Sequence, residues 1–161
     1  MDTNVAHKLI DALKDRGWRI VFAESCTAGL VAATLAKIPG VSEFLCGSAV
    51  TYREQTKQLW LGVDQTALDQ YTAVSSQVTA AMAESVLQKT PEAMVGVGVT
   101  GHLGPDAPEE LDGIVFISTA SRGGQQTQTR RIRLSSTDRE SRQQEAAQAV
   151  LATAVQELSR C

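Results

Sequence analysis

Three residue types that can carry acyl-transfer chemistry fall within a short span. Pro39-Gly40-Val41-Ser42 is a turn that delivers Ser42 just before a β-prone run, Tyr52 ends that run, and Lys57 follows on the next helix-prone segment. A serine hydroxyl attacks a carbonyl only when a base takes its proton. An amine can be that base when burial or neighbouring charge lowers its pKa from about 10.4. Spacing alone does not make such a pair, and the plain alternative is a turn serine and a surface lysine.

A second cluster is Glu24-Ser25-Cys26-Thr27-Ala28-Gly29, placed where a strand hands over to a helix. Free N–H groups and the helix dipole attract anions there, so Ser25 or Thr27 could hold a phosphate or carboxylate. Simple N-capping by either residue explains the same pattern. Cys26 near a helix start could be a thiolate nucleophile with His102 as partner. A buried packing thiol is the simpler reading, and nothing in the sequence brings the two together. Gly96-Val97-Gly98-Val99-Thr100-Gly101 matches G-x-G-x-x-G. A dinucleotide fingerprint needs those glycines after a strand and opening a helix. Here they lie inside the strand and lead into the loop His102-Leu103-Gly104-Pro105-Asp106-Ala107-Pro108. The pattern therefore predicts a strand packed closely under a helix. No Cys or His pair has metal-ligand spacing, so no metal site is expected.

The elements that must position these residues follow from hydrophobic periodicity. Helices are expected over 4–15, 27–37, 53–61, 66–71 and 75–89, with a last one from a Ser136 or Thr137 cap to about 158. Strands are expected over 18–23, 45–52, 93–100, 113–120 and 127–134. The last two strands form a hairpin across Ser121-Arg122-Gly123-Gly124. This alternation predicts an α/β fold, a three-layer α/β/α sandwich with a mixed, mostly parallel sheet, as one domain over residues 1–161.

Composition narrows the partners. The 161 residues carry 15 Lys+Arg against 18 Asp+Glu, a net charge of −3, which argues against a nucleic-acid footprint. Aromatic residues at 4% are too few for a base-stacking platform. No run approaches the roughly 18 apolar residues of a membrane span, and the acidic start is not a signal peptide. Three cysteines, Cys26, Cys46 and Cys161, at irregular spacing suggest reduced thiols and a cytoplasmic protein, with Cys26 and Cys46 as inert packing residues.

Ala23-Glu24-Ser25-Cys26-Thr27-Ala28-Gly29, Thr51-Tyr52 with Lys57, Ala73-Val74-Ser75, and Thr100-Gly101 with Gly104-Pro105 occur in one order. Together they resemble the CinA C-terminal domain family, whose characterised members are nicotinamide-nucleotide amidohydrolases. The resemblance covers nearly the whole chain and is most specific from Ala23 to Lys57. It implies a stand-alone α/β/α paralogue, expected to be a homo-oligomer, that takes a small nucleotide-like ligand without a cofactor. It implies a Ser/Lys hydrolase that converts the carboxamide of nicotinamide mononucleotide to the acid and ammonia. By this resemblance the catalytic residues are Ser42, Lys57 and Tyr52. Ser25, Thr27, Thr100, Gly101, Gly104 and Arg142 would line the substrate site.

Departures from the family pattern fall on the substrate shell. Ala28 replaces a glycine, Glu54 an asparagine, and Gly104-Pro105-Asp106-Ala107-Pro108 lacks two glycines. Glu109, Glu110 and Asp112 occupy a segment where the family carries a lysine, and Gln143 stands for an arginine, with Arg139 and Arg142 close by. These changes predict absent or weak turnover of nicotinamide mononucleotide. The alternative is a non-catalytic paralogue that binds a nucleotide-like ligand or a protein partner.

Overall fold

Strand β1 (Ile20–Glu24) is buried along its whole length, as expected for a strand covered on both faces. Its side chains alternate between two cores. Ile20 and Phe22 join one with helices α1 (Thr3–Arg16), α2 (Leu30–Leu35) and α6 (Arg139–Leu158). Val21 and Ala23 join the other, with α4 (Gln65–Tyr71) and α5 (Ser76–Gln88). The computed structural model describes residues 3–123 and 126–160. Met1, Asp2, Gly124 of the expected hairpin turn and the Cys161 thiol lie outside the described residues.

The remaining strands are β2 (Leu45–Val50), β3 (Val95–Gly101), β4 (Ile114–Ser121) and β5 (Gln128–Arg133), and the sheet order is β2-β1-β3-β4-β5. β2 and β3 flank β1 in parallel, while β4 and β5 add antiparallel pairings. The sheet is thus mixed, with its parallel half at the β2 end. It is sandwiched between α1, α2 and α6 on one face and α4 and α5 on the other.

α5 lies directly on β3. A Cβ on Gly96 would sit 2.5 Å from the Ala83 carbonyl oxygen, and one on Gly98 would sit 2.6 Å from that of Thr79. The G-x-G-x-x-G pattern therefore serves close backbone approach. α5 is capped by Ser75, whose Oγ accepts from Val78 N at 3.3 Å. α6 is capped one residue later than expected, by Asp138, which accepts from Ser141 N at 2.9 Å. Its inner stripe, Ala146, Val150, Ala154 and Leu158 with Ala147 and Leu151, follows the helical period.

Two expected helices are shorter or broken. The 27–37 segment becomes helical only at Leu30, because Ala28 (φ 52°) and Gly29 (φ 95°) are left-handed. The 53–61 segment is a single turn, α3 (Glu54–Thr56), continued by a π-helical turn over Lys57–Leu61. Among the described residues no helix is long and apolar enough to cross a membrane.

Candidate active site

β1 and β2 run in the same direction, with Glu24 opposite Val50 and Thr51 N bonded to Glu24 O at 2.8 Å. The chain segments that follow both strands therefore leave the sheet side by side. Ser25 comes directly after β1. Lys57 comes after β2, on the π-helical turn, a helix irregularity often found at functional sites. Lys57 Nζ donates to Ser25 Oγ at 2.9 Å and to the carbonyl oxygens of Thr51 at 2.7 Å and Tyr52 at 3.4 Å.

Lys57 is only 1% exposed. Burial lowers its pKa to about 8, against weaker opposing pulls from Cys26 and Glu54. At neutral pH roughly a tenth of such an amine is unprotonated, and that form can accept a hydroxyl proton.

The structure does not bring Ser42, the expected nucleophile, to Lys57. Ser42 lies exposed on a 3₁₀ turn, Val41–Glu43, that precedes β2. The start of β2 pairs with the start of β1, so Ser42 sits at the opposite end of the sheet from Lys57. Six strand residues at about 3.3 Å each separate those ends by roughly 20 Å. The hydroxyl that meets Lys57 is that of Ser25, assigned from the sequence to substrate binding.

Ser25, Tyr52 and Lys57 border a cavity of about 210 Å³, closed on the far side by the Gly101–Ala107 loop and Arg139. Gly101 and Gly104 line it. Tyr52 is half-exposed at its mouth, and its phenol oxygen accepts from Arg139 Nη2 at 2.7 Å. Arg139 Nη1 also donates to the Gly104 carbonyl. Arg139 thus fastens the loop to the tyrosine across the cavity. The sequence reading names it only as a neighbour of Gln143.

Three expected substrate contacts have other partners. Thr27 Oγ1 donates to Glu24 Oε2 at 2.8 Å. Neither Thr27 nor Ser25 caps α2, whose N-cap is Gly29 with no side-chain bond. Thr100 Oγ1 shares a 2.7 Å hydrogen bond with Thr79 Oγ1 and ties β3 to α5. Arg142 pairs with Asp112 in a neighbouring cleft. Gln143 reaches back to the turn after β1, donating to Cys26 O at 3.4 Å and Thr27 O at 3.3 Å.

Cys26 is buried at the cavity wall, and burial pushes its thiol up to about 12. A thiol so held stays protonated at neutral pH and is no nucleophile. Cys46, on the edge strand β2, is only half-buried.

The turn that presents Ser25 is shaped by Glu24, which is fully buried. Its carboxylate accepts from Gly29 N at 2.9 Å, Val31 N and Ala32 N at 3.1 Å, Thr27 Oγ1 at 2.8 Å and Ser48 Oγ at 2.9 Å. An anion at the start of α2 thereby satisfies the helix's first donors. Removing it would orphan five buried or half-buried donors. Glu24→Ala is expected to lower folding stability by about 3 kcal/mol or more. An unchanged urea midpoint would show that the turn holds its shape without the carboxylate. Among the described residues no group of His, Cys, Asp and Glu could hold a metal ion.

The CinA C-terminal domain model matches residues 2–158. A CinA-like protein of Dictyoglomus thermophilum is 40% identical over 124 residues, covering 76% of this chain and 30% of the relative. A CinA-like protein of Myxococcus xanthus is 38% identical over 117 residues, covering 71% of this chain and 28% of the relative. The chain thus spans about a third of the length of the curated relatives it matches. Among solved structures, a CinA superfamily protein from Klebsiella pneumoniae superposes with a TM-score of 0.92 at 28% identity, over 100% of both chains. One from Escherichia coli gives a TM-score of 0.89 at 30% identity, over 96% of this chain and 88% of the other. A family match over nearly every residue and a fold shared from end to end place this chain in the CinA C-terminal domain family.

Proposed function

We propose that the protein is a serine–lysine amide hydrolase acting on a small carboxamide, with Ser25 as nucleophile and Lys57 as general base. The observation that carries this reading is the 2.9 Å hydrogen bond between Lys57 Nζ and Ser25 Oγ at the wall of a cavity. A buried lysine with a lowered pKa and a serine on a strand-to-helix turn match the roles such chemistry requires.

In the first step neutral Lys57 takes the Ser25 proton while Oγ attacks the carboxamide carbon. Collapse of the tetrahedral adduct breaks the C–N bond. The Lys57 ammonium returns its proton to the departing ammonia, leaving an acyl-serine. Water, deprotonated by Lys57, then attacks the ester; the C–Oγ bond breaks, the Lys57 ammonium returns the proton to Ser25 Oγ, and the acid leaves. The Ser25 N–H is committed to Val99 O at 3.1 Å, so the Cys26 and Thr27 N–H groups would be the ones to stabilise the oxyanion. The Tyr52 phenol, held by Arg139, orients the substrate at the mouth.

The resemblance to nicotinamide-nucleotide amidohydrolases makes nicotinamide mononucleotide the first substrate to assay. Its turnover is expected to be absent or strongly impaired. Asp106 lines the cavity, and Asp112 and Asp138 border the adjoining cleft. This negative charge opposes a phosphate, and a misplacement of about 1 Å can lower the rate on the order of a hundredfold. Ammonia release at 1 to 10 per second, on the order of an ordinary enzyme, would refute that expectation. The assay should include carboxamides without phosphate. Release from any of them that Ser25→Ala abolishes supports the hydrolase reading. Silence with all of them, together with saturable ligand binding, favours the non-catalytic paralogue. The specific observation behind that second reading is Arg142, whose fork is already filled by Asp112.

A further inference from the structure

Arg142 stands in the first turn of α6, and its guanidinium is engaged on every nitrogen within the chain. Nη1 donates to Asp112 Oδ1 at 2.7 Å and Nη2 to Asp112 Oδ2 at 2.9 Å, a bidentate pair. Nε donates to Ser136 O at 2.9 Å, and Nη1 reaches Leu103 O at 3.4 Å. The group is wedged between two left-handed glycines. A Cβ on Gly104 would lie 3.0 Å from Nη1, and one on Gly113 would lie 3.2 Å from Nη2. The Arg142 side chain is 11% exposed, that of Asp112 43%.

This pair lies in a cleft of about 410 Å³. The cleft shares Leu103 to Ala107 and Arg139 with the cavity that holds Ser25 and Lys57. A substrate with its carboxamide at Ser25 would extend its remainder this way. A planar guanidinium fork is the protein group best suited to a carboxylate or phosphate. Here a carboxylate of the chain itself occupies the fork. An incoming anion would have to expel Asp112, and the expelled carboxylate would then stand unpaired beside it. Asp106 and Asp138 border the same cleft and add like charge, while Arg139, the other cation there, is engaged by Gly104 O and the Tyr52 phenol. Rejection by an unpaired charge is a strong source of selectivity.

We infer that Asp112 is a specificity-determining residue: by holding Arg142 it restricts the site to carboxamides that carry no anionic group. This rests on the reading of Ser25 and Lys57 as the reacting pair, but its binding half can be tested without catalysis.

Inorganic phosphate is titrated into wild type, Asp112→Asn, and Asp112→Asn combined with Arg142→Gln, followed by backbone amide shifts around residues 103–113. Wild type is expected to show no saturable site in the millimolar range. Asp112→Asn should bind at least about tenfold tighter, and the double variant should lose the gain. Equal binding by wild type and Asp112→Asn overturns the inference, as does a gain that survives in the double variant. Should Asp112→Asn not fold, Arg142→Gln alone decides. Phosphate affinity unchanged from wild type supports a sequestered arginine, and a tenfold loss refutes it. In the catalytic half, nicotinamide mononucleotide and nicotinamide riboside differ only by the phosphate. The ratio of their kcat/KM values should shift at least tenfold toward the nucleotide in Asp112→Asn. Absence of ammonia from every carboxamide would sink the hydrolase reading, while the phosphate titration would still decide the role of Asp112.

Discussion

Ser25→Ala is expected to remove carboxamide hydrolysis almost completely, while Ser42→Ala leaves it untouched. Loss of a nucleophile from a serine–base unit costs on the order of a thousandfold to a millionfold in kcat. Folding should change little, because Ser25 contributes one hydroxyl to a turn whose shape is set by the Glu24 carboxylate. The melting temperature of Ser25→Ala should therefore stay near that of wild type. Mass spectrometry gives an independent readout: an electrophilic amide or ester trapped on the protein should map to the Ser25 peptide. Activity that survives in Ser25→Ala but falls in Ser42→Ala would reverse the assignment. It would require Lys57 to act on a hydroxyl at the other end of β2.

Lys57→Met is expected to abolish activity and also to change how stability depends on pH. In the folded protein the amine titrates near 8, against 10.5 when unfolded. Between those values the unfolded chain binds more protons than the folded one, so this group makes wild type more stable as pH rises from 8 to 10.5. Below pH 8 both states are protonated and the burial penalty is present in full, about 3 kcal/mol for a shift of this size. Cys26 acts the other way. Its folded thiol titrates near 12 against 9.0 unfolded, so its contribution is full below pH 9 and is lost between 9 and 12. The difference between wild type and Lys57→Met reports the lysine together with its pull on Cys26, which falls in the range above pH 9. Wild type should gain stability relative to the variant from pH 8 to 10.5, and wild-type kcat/KM should rise with pH to a plateau above about 8. Parallel stability curves for the two proteins would show that the buried lysine titrates normally. A kcat/KM flat across pH 6 to 9 would remove Lys57 as the base.

The pairing of Ser25 with Lys57 was legible in part. Both residues were marked from the sequence, and both fall just after an expected strand. In a parallel pair, residues that follow the strands share one end of the sheet, and sites form outside those ends. Ser42, which precedes its strand, belongs to the other end by the same rule. Local motif matching does not carry that information, because the adjacency of β1 and β2 is a long-range contact. The shortened α2 was hidden for a different reason. Nothing in Thr27-Ala28-Gly29 announces that Glu24 will take the helix's first amides and hold Ala28 left-handed, a conformation that costs an L-residue about 1 kcal/mol or more. The capping of α5 by Ser75 was plain, since it depends on residues a few positions apart. The Arg142–Asp112 pair spans 30 positions and joins two irregular segments, so only the fold brings it together.

The contact between α5 and the glycines of β3 bears on how a map of tolerated substitutions should be read. Any side chain at Gly96 or Gly98 collides with helix backbone, which cannot yield as a flexible side chain can. Those two positions will look as intolerant as Ser25 and Lys57, but through a different failure. Variants at 96 and 98 deplete the folded chain, whereas variants at 25 and 57 leave its abundance intact and silence it. A ranking by intolerance alone would promote a glycine signature shaped like a dinucleotide motif and invite a search for a cofactor. Scoring abundance and activity in parallel separates the two groups, and the residues that lose only activity outline the working surface of the protein.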